Sequence, residues 1–287
     1  KFVAPAMNVN MYDNPRTQNN IKILKQDGYQ FIEPGDGYLV CGYMAKGRME
    51  EPLQIVSMIN QFFVNEKEIS SSSFLGKKAL VTAGPTVEVI DPVRYVSNRS
   101  SGKMGFAIAE ALRDKGAKVT LVSGPTQLKA PDGIEVVHVQ SAEDMFQAVK
   151  CRYIEQDIVI KAAAVSDYTP SEVLEHKIKK QDGDLSEKFK RTQDILKYLG
   201  DNKKHQYLVG FAAETQNIEQ YAQDKLERKN ADVIISNNVG DQSIGFNSDD
   251  NELMMHFKDK QTVKIKKGKK VALARQIIEE LETRWQQ

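Results

Sequence analysis

From Lys77 onward the sequence predicts a doubly wound, mostly parallel α/β sheet with flanking helices and a C-terminal antiparallel hairpin. Three observations predict it. Short unbroken apolar runs such as Ala79-Leu80-Val81-Thr82 read as strands covered on both faces, as parallel sheets are. Residues 102–115 carry Met104, Ile108 and Leu112 at i, i+4 and i+8 with Ala107 and Ala111 beside them, a helical stripe. The strand–helix–strand order then argues for parallel pairing through a right-handed crossover.

The remaining elements follow in order. Lys118–Val122 and Ile134–Val139 are strands, and a helix starts at Ser141, whose hydroxyl can cap it with Asp144 at the capping-box position. Asp157–Ala162, Tyr207–Phe211 and Asp232–Ser236 are strands, with a helix from about Gln216 to Lys229 between the last two. Residues 253–257 and 262–266 alternate as a hairpin does. The final helix, from about Lys269 to Trp285, sets Val271, Ala274, Ile278, Leu281 and Trp285 on one face. In such a sheet the ligand crevice lies beyond the carboxyl ends of the strands.

Upstream, residues 65–76, NEKEISSSSFLG, are polar with no apolar period and read as a linker. Before them lie two helices, Asn14–Gln26 and Glu51–Val64, in a turn-rich segment too incomplete for a parallel-sheet domain. The division is therefore 1–64, 65–76 and 77–287. The opening KFVAPAMN reads as the interior of a longer protein.

Lys and Arg number 40 against 39 Asp and Glu, a net charge of +1, so no basic excess points to nucleic acid. Two cysteines are too few for a disulfide framework, and no apolar run reaches the roughly 20 residues of a membrane span. A cytoplasmic protein without membrane or nucleic-acid partners is expected.

Four places could carry chemistry. The loop after the first strand, from Thr82 through Asp91 and Arg94 to Gly105, fits neither GxGxxG nor a P-loop. Its Ser100, Ser101, Gly102 and Lys103 still meet a helix N-terminus, where free N–H groups favour an anion; an ordinary Ser-capped helix is the alternative. Ala162, Ala163 and Ala164 let a ligand approach the backbone at a strand end, with Asp167 at the rim, or else serve tight packing. The basic run His176–Lys180 is either solvated surface or a flap that lowers Lys177 onto a ligand. Lys225 and Lys229, at i, i+4, repel unless an anion lies between them, and Phe211 is core or a stacking platform. His138, His205 and His256 lack ligand spacing, so no zinc site is expected.

Taken in order, TAGPTxExxDPVRYxSNRSSGKMG, KAAAVSDY, KIKKQ, GFAAET and FNSDDN resemble the phosphopantothenate–cysteine ligases of bacterial coenzyme A biosynthesis, with a Rossmann-like fold. Pro5-Ala6-Met7-Asn8 and the run from Cys41 to Met49 resemble the end of the flavin-dependent decarboxylase fused to them. The resemblance implies that a carboxylate is activated by CTP, with Mg2+, as an acyl-cytidylate that cysteine's amine then opens. It implies that Asn98 holds the acyl carbonyl, that Arg94 and Asp91 order their loop, and that Lys177 is the flap lysine. Lys225 and Lys229 would meet the triphosphate; Asp167 (also the one metal candidate), Ala162–Ala164 and Phe211 would face the nucleotide. Gln193-Asp194-Ile195-Leu196 stands where the family reads cytosine through Pro-Asp-Ile-Val, so the missing Pro leaves the CTP preference open. Cys41 resembles the decarboxylase proton donor and Asn8 its carboxylate grip, while FMN binding and decarboxylation are expected only of a longer parent. A homodimer through the ligase domain, and larger oligomers of the parent, are implied as well. The readings set against this one are an NAD(P)-binding oxidoreductase with a degenerate loop and a non-catalytic nucleotide sensor.

Overall fold

The computed structural model describes residues 1–38, 44–179, 186–214, 218–238 and 250–285. The chain divides into two compact units, Lys1–Ser71 and Ser72–Gln287.

In the first unit β1 (Phe2–Val3) is followed by α1 (Val9–Tyr12), α2 (Pro15–Gln26) and β2 (Gln30–Phe31), which pairs in parallel with β1. Asn14 caps α2 and Pro15 fills its first turn, where a missing N–H costs nothing. Then β3 (Gly35–Tyr38) and β4 (Met44–Arg48) form an antiparallel ladder. The Pro5–Asn8 loop lies against β4 at Gly47: φ is +142°, and a Cβ there would stand 2.3 Å from the Met7 carbonyl oxygen.

The helix expected to end at Val64 runs on as α3 (Pro52–Ser71). Ser70 and Ser71 turn their hydroxyls back onto the carbonyls of Lys67 and Glu68, which lets serine occupy a last helical turn. The rest of the supposed linker is docked. Phe74 is fully buried, 5.4 Å from the Trp285 ring, and Ser73 donates its N–H to Glu282 at 2.8 Å. Residues 65–76 are thus half helix and half the edge of the second unit's core.

The second unit runs β5 (Lys78–Ala83), β6 (Val87–Val89), β7 (Tyr95–Ser97), α4 (Lys103–Asp114), β8 (Lys118–Ser123), β9 (Glu135–His138), α5 (Ala142–Tyr153) and β10 (Ile158–Lys161). It continues β11 (Tyr168–Pro170), β12 (Phe189–Arg191), α6 (Ile195–Asp201), β13 (Tyr207–Glu214), α7 (Ile218–Lys229), β14 (Val233–Asn238), β15 (Asp250–Phe257), β16 (Thr262–Lys269) and α8 (Lys270–Trp285). The main sheet has the order β16-β15-β14-β13-β10-β5-β8-β9, parallel except for the β15–β16 hairpin. The chain leaves β5 toward β9, then returns to β10 on β5's other side, so the switch point lies between β5 and β10.

Alternate residues of each strand feed two layers. Val81, Leu121, Ile160 and Val209 pack with α4 and α8. Leu80, Val122, Val159 and Leu208 pack with α5, α6 and α7. Ser141 makes the capping box expected of it with Asp144. Val271, assigned to the buried face of α8, is instead 54 % exposed; Leu273 and Ile277 take that place, because the packed stripe is broader than the i, i+4 series read from sequence.

Two hairpins stand outside the sheet and were not anticipated: β6–β7, and β11–β12, whose connection contains the basic run. Among the described residues no helix is long and apolar enough to cross a membrane.

Candidate active site

Beyond the carboxyl ends of β5 and β10 lies a cavity of about 380 Å³. Glycines bring its walls together. Gly84 and Gly102 have φ of +75° and +76°, and a Cβ on Gly102 would meet Gly84 Cα at 3.4 Å. Gly105 sets α4 directly on β5: a Cβ there would stand 2.6 Å from Ala83 Cβ. The two strand-end loops are zipped by Ala164 N–H to Gly84 O at 2.9 Å, Ala163 N–H to Thr82 Oγ1 at 3.1 Å and Ser166 N–H to Thr86 Oγ1 at 3.0 Å. A larger groove of about 530 Å³ opens at the amino ends of β5 and β8 and gathers none of the expected residues.

The cavity collects most of the residues that the sequence singled out. Asn98 and Ser100–Lys103 come from the loop into α4, Ala162–Ala164 and Asp167 from the end of β10, Phe211 from β13, and Lys225 from α7. The helix cap is Gly102 in the left-handed conformation with no side-chain cap, so the Ser-capped alternative fails, and the residues of the first turn, Lys103 to Gly105, line the cavity. Asn98 donates its side-chain amide to the carbonyls of Val165 at 3.0 Å and Ala164 at 3.4 Å. It ties the two walls together while lining the space between them.

Among the described residues cations dominate the lining: Arg99, Lys103, Lys161, Lys225 and Lys270, against one carboxylate, Asp167. Lys225 reaches the Phe211 carbonyl at 3.3 Å. Burial, then the neighbouring charge of Lys225, pushes the Lys161 ammonium down to about 8. Such a surplus of positive charge at a helix N-terminus suits a polyanion.

Lys229 departs from expectation. It forms an ion pair with Asp194, whose carboxylate also caps α6 through the Lys197 N–H at 2.9 Å. Lys229 is thus paired with a half-exposed carboxylate and does not itself line the cavity. Ile195 and Leu196 are 2 % and 3 % exposed in the core beneath β13, because Gln193-Asp194-Ile195-Leu196 opens a helix. Those two side chains are buried away from any base, whereas Gln193 and Asp194 beside them are exposed.

Asp91 and Arg94 sit at the tip of the β6–β7 hairpin, where they brace their own turn and also grip the segment that carries Lys177. Asp91 accepts from the N–H of Val93, Arg94 and Ile178, at 2.8, 2.8 and 3.1 Å, and Arg94 Nη2 donates to Ile178 O at 2.6 Å. Lys177, next to this clamp, is exposed and does not line the cavity. Lys180–Asp184, Thr215, Gln216 and Phe246–Asp249 lie outside the described residues, as does Cys41. Asn8 belongs to the first unit, where its side chain accepts from the Asn10 N–H and caps α1.

Sequence reasoning missed Lys161, Lys270, Asn237 and Asn251. Lys161 heads the KAAAVSDY motif and Asn251 closes FNSDDN, so both were in view. Lys270 falls in the first turn of the helix read from about Lys269 and carried no signal of its own, yet it is 6 % exposed at the cavity.

Two accessory groups can be tested against these residues. Mg2+ bound with a polyphosphate commonly takes one or two protein carboxylates and completes its shell with phosphate oxygens and water. Asp167 at the rim fits that mode, and no cluster of three or more acidic, His or Cys groups exists among the described residues. FMN fits less well: the described part of the first unit offers two two-stranded ladders and no extended sheet against which a flavin could lie.

The family described as DNA/pantothenate metabolism flavoprotein C-terminal domain matches residues 74–284, and that described as Flavoprotein matches residues 1–64. The coenzyme A biosynthesis bifunctional protein CoaBC of Bacillus subtilis (strain 168) is 51 % identical over 281 residues, 98 % of this chain and 68 % of that protein. A cysteine/cysteine sulfinic acid decarboxylase from an unknown prokaryotic organism is 43 % identical over 284 residues, 98 % of this chain and 79 % of that protein. The crystal structure of the C-terminal domain of a CoaBC protein superposes with a TM-score of 0.65 at 44 % identity, covering 75 % of this chain and 99 % of that one.

Proposed function

The chain belongs to the bifunctional coenzyme A biosynthesis proteins, in the DNA/pantothenate metabolism flavoprotein family, and from that premise we propose that its second unit joins 4′-phosphopantothenate to L-cysteine using CTP. One observation carries the proposal: a single cavity at the switch point gathers Asn98, Asp167, Lys225 and the N-terminus of α4.

The chemistry needs such a place. A carboxylate is a poor acyl donor because its leaving group would be oxide. Its oxygen attacks the α-phosphorus of CTP, the bond to the β-phosphate breaks, and pyrophosphate leaves. Cysteine's neutral amine then attacks the acyl carbon, CMP departs and the amine's proton goes to solvent. Lysines and the helix end stabilise the charge that gathers in the first step; Mg2+ held at Asp167 would neutralise phosphate charge there. Asn98, between the walls, is placed to hold the acyl group, and Lys177 would act from the flap that Asp91 and Arg94 anchor.

The test is pyrophosphate release from CTP. Steady release that requires both 4′-phosphopantothenate and cysteine supports the ligase. NAD reduction without CTP turnover would mark a dehydrogenase, and CTP binding without turnover would mark a sensor.

For residues 1–64 the proposal keeps Cys41 as proton donor and Asn8 as carboxylate grip in the flavin-dependent decarboxylation expected only of a longer parent. This chain is expected not to retain FMN; one yellow flavin per purified chain would overturn that. A cytoplasmic homodimer is proposed too. The two hairpins, in contact with each other, expose Val93, Tyr95, Tyr168, Val173 and Phe189, apolar surface of the kind a second copy covers.

A further inference from the structure

Lys161 has a place in the crevice that the proposed mechanism leaves unused. It ends β10, with Thr82 of β5 and Gly210 of β13 as its register partners, at the centre of the switch point. Val159, two residues before it, packs into the layer of α5, α6 and α7, so strand alternation directs Lys161 toward that side. There its neighbours are Lys225 and Lys229 of α7 and Asp194 at the cap of α6, with Asp167 in the loop that follows β10. Arg99 and Lys103, at the start of α4, and Lys270 of α8 line the other walls of the same cavity.

Among the described residues that line the cavity, cations outnumber carboxylates. Asp194 is already paired with Lys229, and both Asp194 and Asp167 act on Lys161 through space, without a hydrogen bond. A half-buried ammonium facing a second lysine is held in its charged form poorly, and a polyanion between the two would reverse that.

Resting on the reading of the cavity as a nucleotide site, we propose that Lys161 is a cationic contact for the polyphosphate of the bound nucleotide and takes up a proton as that nucleotide binds. The contact is side-chain chemistry at the strand end, distinct from the backbone approach that the three following alanines permit.

The linkage has a definite sign. Before binding, burial and Lys225 put the ammonium at about 8, so above that pH the group is mostly neutral. The anion favours the charged form and raises this value, so binding between the two values consumes a proton and affinity falls as pH rises. Well below pH 8 the group is already charged and uptake fades. Other shifts in the cavity do not mimic this pattern once Lys161 carries a permanent charge, since arginine cannot titrate there.

The experiment is calorimetric titration of the whole chain with CTP at pH 8.5, in two buffers of unlike ionisation enthalpy. The wild type is expected to take up roughly half a proton or more per CTP at pH 8.5 and far less at pH 6.5. Lys161→Arg should bind CTP within about threefold of wild type at pH 7 with no uptake, and Lys161→Met should bind on the order of tenfold more weakly. No uptake by the wild type, or the same uptake by Lys161→Arg, overturns the inference even where ligation proceeds. Inorganic tripolyphosphate is the second probe. If it binds with Lys161-dependent uptake while CTP does not bind, the ligase reading fails and the Lys161 contact stands; if neither binds, both fall.

Discussion

Arg94 and Ile178 are 84 residues apart in sequence and joined by a 2.6 Å hydrogen bond from the guanidinium to the Ile178 carbonyl. The same guanidinium donates through Nε to Asp91, and Asp91 accepts the Ile178 N–H at 3.1 Å. The N–H and the carbonyl of one residue, Ile178, are thus both held by an ion pair at a hairpin tip, and Lys177 is tethered within one residue of that anchor.

Arg94→Lys should release the clamp, because a lysine ammonium cannot reproduce a planar fork serving a carboxylate and a carbonyl together. Losing one charge-assisted bond corresponds to roughly tenfold more opening of the segment 171–179. Hydrogen exchange at the Ile178 amide should quicken by about that factor while the sheet amides are unchanged. Equal protection in both proteins would show that the clamp does not hold the flap.

The clamp should also be pH-dependent on the acid side. Burial alone would raise the Asp91 carboxyl, but N–H donors from Val93, Ile178 and Arg94, with the Arg94 charge, bring it to about 2. A free aspartate titrates near ~3.9, so this carboxylate's contribution is complete above about pH 4 and is lost as pH falls through about 2. Pepsin cleavage between residues 171 and 188 should rise over that interval in the wild type. Asp91→Asn should be cleaved readily throughout, and a parallel pH rise in both would place the titration elsewhere.

These contacts show what the sequence could and could not convey. Parallel strands and α4 were legible because burial on two faces writes itself as unbroken apolar runs and a 3.6-residue period. The hairpins were not, since strands such as Val87–Val89 and Tyr168–Pro170 are three residues long and carry no period. The motif TAGPTxExxDPVRY was seen as a site loop, yet several of its residues are fasteners. Thr86 accepts from Ser166, Glu88 accepts the Ala142 N–H at the start of α5, and Asp91 holds Ile178. The ion pair of Lys229 was not legible, because i, i+4 spacing defines a helix face without saying that Asp194 waits across it.

Two substitutions divide the proposed reaction. Asn98→Asp sets a carboxylate against the Ala164 and Val165 carbonyls that Asn98 now donates to, so it should leave the wall and stop holding the acyl group. Acyl-cytidylate should then accumulate, with amide formation slowed on the order of 100-fold, as when one oriented donor is removed from a reacting carbonyl. Lys177→Gln should instead suppress pyrophosphate release. Wild-type amide formation by Asn98→Asp, or unchanged release by Lys177→Gln, would remove that residue from the mechanism.

Gly105→Ala tests how close α4 must lie. Alanine ordinarily improves a helix interior by about 1 kcal/mol over glycine. Here the added methyl would stand 2.6 Å from Ala83 Cβ and 3.0 Å from Thr82 O, both on β5. Overpacking of that kind costs about 1–3 kcal/mol, so the clash should win and lift α4 from the strand. The expected readouts are a Tm lower by roughly 2–6 °C and weaker CTP binding, since the N-terminus of α4 moves with it. A raised Tm would mean that the helix has room to spare.

Phe74→Ala asks whether the serine-rich stretch is a tether or part of the folded unit. Phe74 is fully buried, its ring 5.4 Å from that of Trp285, which in turn lies 5.4 Å from Tyr207. The Ser72 hydroxyl and the Ser73 N–H, just before Phe74, both donate to Glu282, which also pairs with Lys115, so the segment is fastened by polar and apolar contacts together. Removing a buried phenyl group costs about 3–5 kcal/mol when the space cannot collapse, and a tether residue would cost almost nothing. Urea unfolding followed by Trp285 fluorescence distinguishes the two, because the only tryptophan of the chain sits beside the substituted ring. A midpoint within error of wild type would return residues 72–76 to the linker that their composition suggests.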